Sequence, residues 1–124
     1  MRRLRGIRGG LALVGTLSAA TVALAEDPAA ETPPVQVVTA VVGGKNVYIP
    51  STIALAAQQA ASLSLYNSTD KPHGFAIPAL GIEVVVPEQV EQRIELPALP
   101  AGLYRIHCQL HEAHRSATLL VVDD

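Results

Sequence analysis

Tryptophan is missing from this sequence of 124 residues, and phenylalanine, cysteine and methionine occur once each, as Phe75, Cys108 and Met1. A single cysteine excludes an internal disulfide, so a small domain built from this chain must rely on its packed core, and the thiol is left as a reactive group, an intermolecular bridge or a held ligand. Positive charge is scarce away from the start. Arg2, Arg3, Arg5 and Arg8 account for four of the nine basic residues, which leaves five cations against eleven acids, a net charge of −6, over residues 26–124. Five scattered cations cannot neutralise a row of phosphates, which excludes nucleic acid as a partner. Beyond the N-terminal segment no stretch approaches the ~18 consecutive apolar residues that a membrane span requires. Internal repeats and glycine-rich phosphate loops are absent, and no Ser-His-Asp spacing suggests a hydrolase.

What is present begins with a basic segment, then an uncharged, mostly apolar run over residues 11–25 that closes on Ala23-Leu24-Ala25. A positive n-region, an apolar h-region and a small-residue A-x-A site read as a secretory signal peptide cleaved after Ala25. The competing reading, an uncleaved anchor, is weakened by the glycine, serine and threonine content of residues 9–25. Arg2-Arg3 leaves the twin-arginine export route open. The chain therefore divides into a signal peptide (1–25), an acidic, proline-rich flexible tether (26–34) and one domain (35–124), which is expected in the periplasm or otherwise exported, with no stable membrane span once the signal is removed.

Nine prolines, six of them between Pro50 and Pro100, count against long helices. Residues 35–42 are β-branched and closed by Gly43-Gly44; residues 47–49, 61–67, 89–96, 103–109 and 117–122 read as further strands, and His73 opens another. In residues 61–67, Leu63, Leu65 and Asn67 alternate with Ser62, Ser64 and Tyr66. Short strands with turns between them predict an all-β sandwich or barrel. Residues 54–61 (ALAAQQAA) favour helix by propensity but are too short to nucleate one, so they read as a strand edge or a single helical turn.

Cys108, His111 and His114 fall on one short loop between two expected strands, and His73 lies 35 residues before Cys108. Three imidazoles and a thiolate converging on one point suit copper or zinc and not calcium or magnesium, which take oxygen ligands. Two histidines and one cysteine with a weaker axial group form the copper electron-transfer pattern; tetrahedral zinc on one cysteine and three histidines satisfies the same donors. Strand alternation puts Tyr104, Ile106 and Cys108 on one face and Arg105 and His107 on the other, so His107 is expected at the surface and not among the ligands. A thiol nucleophile assisted by His111 is disfavoured, because both residues sit on one tight loop.

Gly102, Tyr104, Cys108, two residues, His111 and a final strand at 117–122 follow the order of the ligand loop in the cupredoxins, the blue-copper family, and the segment HGFAIPALGIEVVVP (73–87) resembles the one carrying that family's upstream histidine. It also resembles the corresponding segment of cytochrome oxidase subunit II. The resemblance spans about 90 residues and implies a cupredoxin-like Greek-key β-sandwich holding one copper ion through His73, Cys108 and His111. Two departures matter. His114 stands where short-loop members carry the axial methionine, and a lone cysteine excludes a two-thiolate binuclear centre within one chain. Cys108-Gln109-Leu110-His111 followed by a second histidine is most similar to the nitrosocyanin-like, red-copper members, although those carry a glutamate where His73 stands and a longer gap to the last histidine. Glu112 is a spare oxygen donor on the same loop. Pro78, Ala79, Leu80 and Ile82 are expected either as an apolar docking rim beside His73 or as core. The resemblance implies a single-electron carrier with a redox partner protein, more an electron carrier or copper-binding protein than an enzyme; the alternatives are copper storage, delivery or resistance with a copper donor or acceptor as partner, and a small-molecule-binding red-copper site.

Overall fold

A computed structural model describes Gly15 and residues 32–123; apart from Gly15, the expected signal peptide (1–25) and most of the expected tether (26–34) lie outside the described residues. The described residues 32–123 lie within one compact unit. Nine strands and one 3-10 turn make up its regular structure: β1 (Val35–Val42), β2 (Lys45–Ile49), β3 (Thr52–Ala56), β4 (Ala61–Asn67), β5 (His73–Ile77), the turn Pro78–Leu80, β6 (Ile82–Val86), β7 (Glu91–Leu96), β8 (Gly102–Ile106) and β9 (Ala117–Val122). Among the described residues no helix is long and apolar enough to cross a membrane.

The strands form a sheet in the order β2-β1-β4-β7, a second in the order β3-β9-β8, and the hairpin β5-β6. In the first, β1 runs antiparallel to β2 and parallel to β4, with Val37 opposite Leu65 and Thr39 opposite Asn67. In the second, β9 lies between a parallel β3 and an antiparallel β8, with Ile53 opposite Leu119 and Leu119 opposite Tyr104. A reciprocal backbone pair joins the hairpin to the end of β8: Ala76 N–H donates to His107 O at 2.8 Å, and His107 N–H donates to Ala76 O at 2.9 Å. The chain changes sheets between β2 and β3 through a cis Ile49–Pro50 peptide.

Alternation decides which side chains fill the space between the layers. Leu63, Leu65 and Asn67 of β4 point inward as expected, and Ile53, Ile106, Leu119 and Val121 meet them from the other layer, all buried. Residues 54–61 resolve into the end of β3 and a turn in which Gln58 takes φ 63°. Alanine's helix propensity loses there because the parallel ladder with β9 satisfies the backbone of residues 52–56. The strand expected over 89–96 starts at Glu91, since Gln89 takes φ 59° in the preceding turn and Val90 is left exposed. The strand expected over 103–109 stops at Ile106, and the chain then turns away as a loop that carries the candidate ligands.

Candidate metal centre

Three of the candidate ligands meet at one end of the sandwich. His73 is the first residue of β5, while Cys108 and His111 lie on the loop between β8 and β9. One ligand atom from each of His73, Cys108 and His111 lies within 4.8 Å of the others, the first two residues buried and the third half-buried. Cys108 Sγ stands 3.6 Å from His111 Nδ1. A nitrogen and a sulfur bound at about 2.0 and 2.3 Å to one tetrahedral ion stand about 3.6 Å apart, so this spacing suits two donors to a shared ion.

The sulfur also accepts a hydrogen bond from Gly74 N–H at 3.1 Å. Gly74 is in turn fixed from its other peptide, because the Tyr48 hydroxyl donates to Gly74 O at 2.6 Å. The Gln109 side chain lies over the α-carbon of Gly74, where a Cβ would run into its carboxamide, and Gln109 Nε2–H donates to Val84 O at 3.0 Å.

His114 reaches the same end of the molecule but stays outside the three-residue group. It is buried, its ring centroid 5.1 Å from that of His73 and 4.3 Å from that of Tyr48. His114 Nδ1 lies 2.9 Å from the Arg115 carbonyl oxygen, which only accepts, so the proton sits on Nδ1 and Nε2 carries the free lone pair. His114 Nε2 and His73 Nδ1 are both buried without a hydrogen-bond partner. Buried polar atoms are almost always partnered, and two orphan imidazole nitrogens beside a thiol are the atoms a soft or borderline metal ion would satisfy. Burial and the neighbouring His114 and His111 hold the proton affinity of His73 below the ordinary histidine value, and burial does the same for His114. Both rings are therefore neutral at neutral pH, the form in which imidazole ligates. The residues present fit a soft or borderline metal ion.

A cleft of about 420 Å³ runs along Arg105, His107, Cys108, Gln109, His111, Glu112 and His114, and another of about 250 Å³ reaches His73 and His111 from the β1–β2 side. His107, expected at the surface, is half-buried because its backbone pairs with Ala76; it stays out of the metal-capable group, as does the exposed Glu112. Of the two readings of Pro78, Ala79, Leu80 and Ile82, a rim beside His73 or core, the structure favours core for the last two. Pro78–Leu80 follows the other end of β5, a strand of five residues or about 16 Å away, with Pro78 and Ala79 exposed and Leu80 and Ile82 packed on the core. Sequence reasoning missed Tyr48 and Gln109; the one signal for Tyr48 was a large aromatic on a short strand otherwise exposed or half-buried.

The cupredoxin-like domain family matches the chain over residues 13–121. The chain belongs to the cupredoxin family. Solved structures share its fold at low sequence identity. A purple cupredoxin from Nitrosopumilus maritimus is 20% identical with a TM-score of 0.51, the match covering 71% of this chain and 99% of that one. Reduced auracyanin from Roseiflexus castenholzii is 11% identical with a TM-score of 0.59 over 73% and 98% of the two chains. The metal binding domain of the Streptococcus pneumoniae D39 Cu(I)-exporting P-type ATPase, solved with Cu(I), is 16% identical with a TM-score of 0.53 over 73% and 99%. No curated protein sequence matches the chain.

Proposed function

We propose that this cupredoxin is an exported protein that binds one copper ion through His73, Cys108 and His111, with His114 as a strong fourth ligand, and passes single electrons to a partner protein. The observation that carries the reading is the meeting of His73, Cys108 and His111 within 4.8 Å beside two buried imidazole nitrogens that lack partners. Copper bound there would supply a one-electron couple. The chain supplies the rest. Cys108 is held by Gly74 N–H, the loop is tied to β5 through the Ala76–His107 pair, and burial keeps two of the rings unprotonated. Anchors of this kind let one ligand arrangement serve both oxidation states, which keeps reorganisation small. Half-buried His111 is the ligand nearest solvent and hence the exit for an electron. The net charge of −6 over residues 26–124 favours a cationic partner and makes docking weaken as salt rises.

Isothermal titration of the metal-free protein tests the ligand set. One Cu(II) per chain is expected, with His73→Ala and Cys108→Ala each losing at least ~10-fold in affinity and His107→Ala unchanged. Wild-type affinity in Cys108→Ala, or a weakened site in His107→Ala, contradicts the assignment. Replacing the His114 imidazole by a thioether would weaken a donor that favours Cu(II), so His114→Met is expected to raise the reduction potential and move the colour toward blue. An unchanged potential removes His114 from the ligand set.

A second reading, delivery of Cu(I) to an acceptor, is favoured by the cleft of about 420 Å³ along Cys108, His111 and His114, which gives a competing site access to the donors. Transfer of Cu(I) to a chelator of matched affinity faster than simple dissociation supports delivery; retention through repeated redox cycling supports electron transfer.

A further inference from the structure

Tyr48 is the one deeply buried residue of the edge strand β2, and it reaches across the sandwich to the metal-binding end. Its ring lies tilted by 33° over His114 at 4.3 Å and edge-on to Phe75 at 5.7 Å. Its hydroxyl donates to Gly74 O at 2.6 Å, and the N–H of the same glycine donates to Cys108 Sγ at 3.1 Å. We propose that Tyr48 is a positioning residue for the Cys108 sulfur, acting by holding Gly74 in the one orientation that aims its N–H at that sulfur, while its ring backs His114.

The need for such a strut follows from the residue it holds. Glycine has the widest backbone freedom of any residue, and the two peptide planes flanking Gly74 are free to turn unless each is tied down. One plane ends in the N–H that meets sulfur, the other in the carbonyl that meets Tyr48. A hydrogen bond to a coordinated thiolate draws electron density from the sulfur and raises the reduction potential of a copper site. Releasing the carbonyl lets Gly74 turn, lengthens the N–H···S contact and lowers the potential. Burial, reinforced by the sulfur beside it, raises the proton affinity of the Tyr48 hydroxyl, so it remains a neutral donor through the physiological range.

The inference rests on the reading of Cys108 as a copper ligand for its redox consequence but not for its structural one, and the test separates the two. Tyr48→Phe removes one oxygen and keeps the ring against His114 and Phe75. In the metal-free variant the Gly74 amide proton is expected to exchange about tenfold faster, in line with the loss of one neutral hydrogen bond, while amides of β4 and β9 keep their wild-type protection. In the copper-loaded variant the potential falls and the thiolate charge-transfer band shifts. A wild-type protein without such a band sinks the copper reading and leaves the amide result standing for the strut. Unchanged Gly74 exchange together with an unchanged potential, with only a lower unfolding temperature, overturns the proposal and makes Tyr48 an ordinary core residue. If Tyr48→Phe does not fold, 3-fluorotyrosine at this position in a Tyr66→Phe, Tyr104→Phe background strengthens the donor instead: slower Gly74 exchange supports the strut, and unchanged exchange overturns it.

Discussion

Gly74 carries a neighbour on every side. Sulfur lies ahead of its N–H, the Tyr48 hydroxyl lies on its carbonyl, and the Gln109 carboxamide covers its α-carbon. A methyl group at this position displaces Gln109 and breaks its bond to Val84 O, orphaning polar atoms in a partly buried site. Gly74→Ala is therefore expected to destabilise the metal-free protein by about 1–3 kcal/mol, read as a lower denaturant midpoint at constant slope. A variant as stable as wild type means that Gln109 moves aside freely. At this scale the sequence was legible where residue chemistry is rare. One thiol and four imidazoles, one of them (His107) set aside by strand alternation, point to His73, Cys108, His111 and His114 before any coordinates, and the structure brings the first three of these four together. Tyr48 and Gln109 were not legible, because a tyrosine and a glutamine become supports only through contacts made 26 and 25 residues away in sequence.

The turn from β4 to β5 shows how an element delivers a candidate ligand. Asn67, fully buried at the end of β4, donates through Nδ2 to Lys71 O at 2.7 Å and Val86 O at 3.0 Å, and its Oδ1 accepts from Thr69 N–H at 2.9 Å and Thr69 Oγ1 at 2.8 Å. One carboxamide thus organises the turn that launches His73 and ties it to β6. Asn67→Ala leaves a buried carbonyl and a buried N–H without partners, so a loss of at least about 2 kcal/mol is expected on chemical denaturation. Weaker metal binding is expected with it, since His73 loses its approach; a loss under about 0.5 kcal/mol contradicts this role. Alternation made the inward position of Asn67 readable, while its partners were not. The expected strands are placed to within a few residues, with errors at Gln89 and at residues 107–109, where a left-handed backbone or the candidate ligand loop ends a ladder that local composition would continue, while β6 (Ile82–Val86) is not among the strands expected. Of the two readings of residues 78–82, rim or core, the core one holds for Leu80 and Ile82, because an extended strand separates its two ends by its full length and so carries this segment away from His73.

For the molecule as a whole, the candidate metal centre sets metal-ready neutral imidazoles against stability in acid. Two buried histidines are kept neutral by their surroundings, and their proton affinity is lower folded than unfolded. With an unfolded value near 6.5, the unfolded chain binds more protons once pH drops below about 6.5, so their contribution is complete above that point and lost as pH falls toward the folded values. The metal-free protein is thus expected to melt at a lower temperature at about pH 5 than at about pH 7.5, with copper raising the melting temperature at both by binding the native state alone. Equal melting temperatures of the metal-free protein at the two pH values contradict the buried, neutral state of these rings.

The most direct test is a visible absorption and paramagnetic resonance spectrum of the Cu(II)-loaded protein, taken beside that of Cys108→Ser. An intense thiolate-to-copper band in the wild type, with nitrogen hyperfine coupling and a geometry distorted from the blue-copper pattern, is the expected result, and the band vanishes in Cys108→Ser. A wild-type spectrum of weak d–d bands alone, identical to that of the serine variant, would show that sulfur does not hold the metal and would contradict the account.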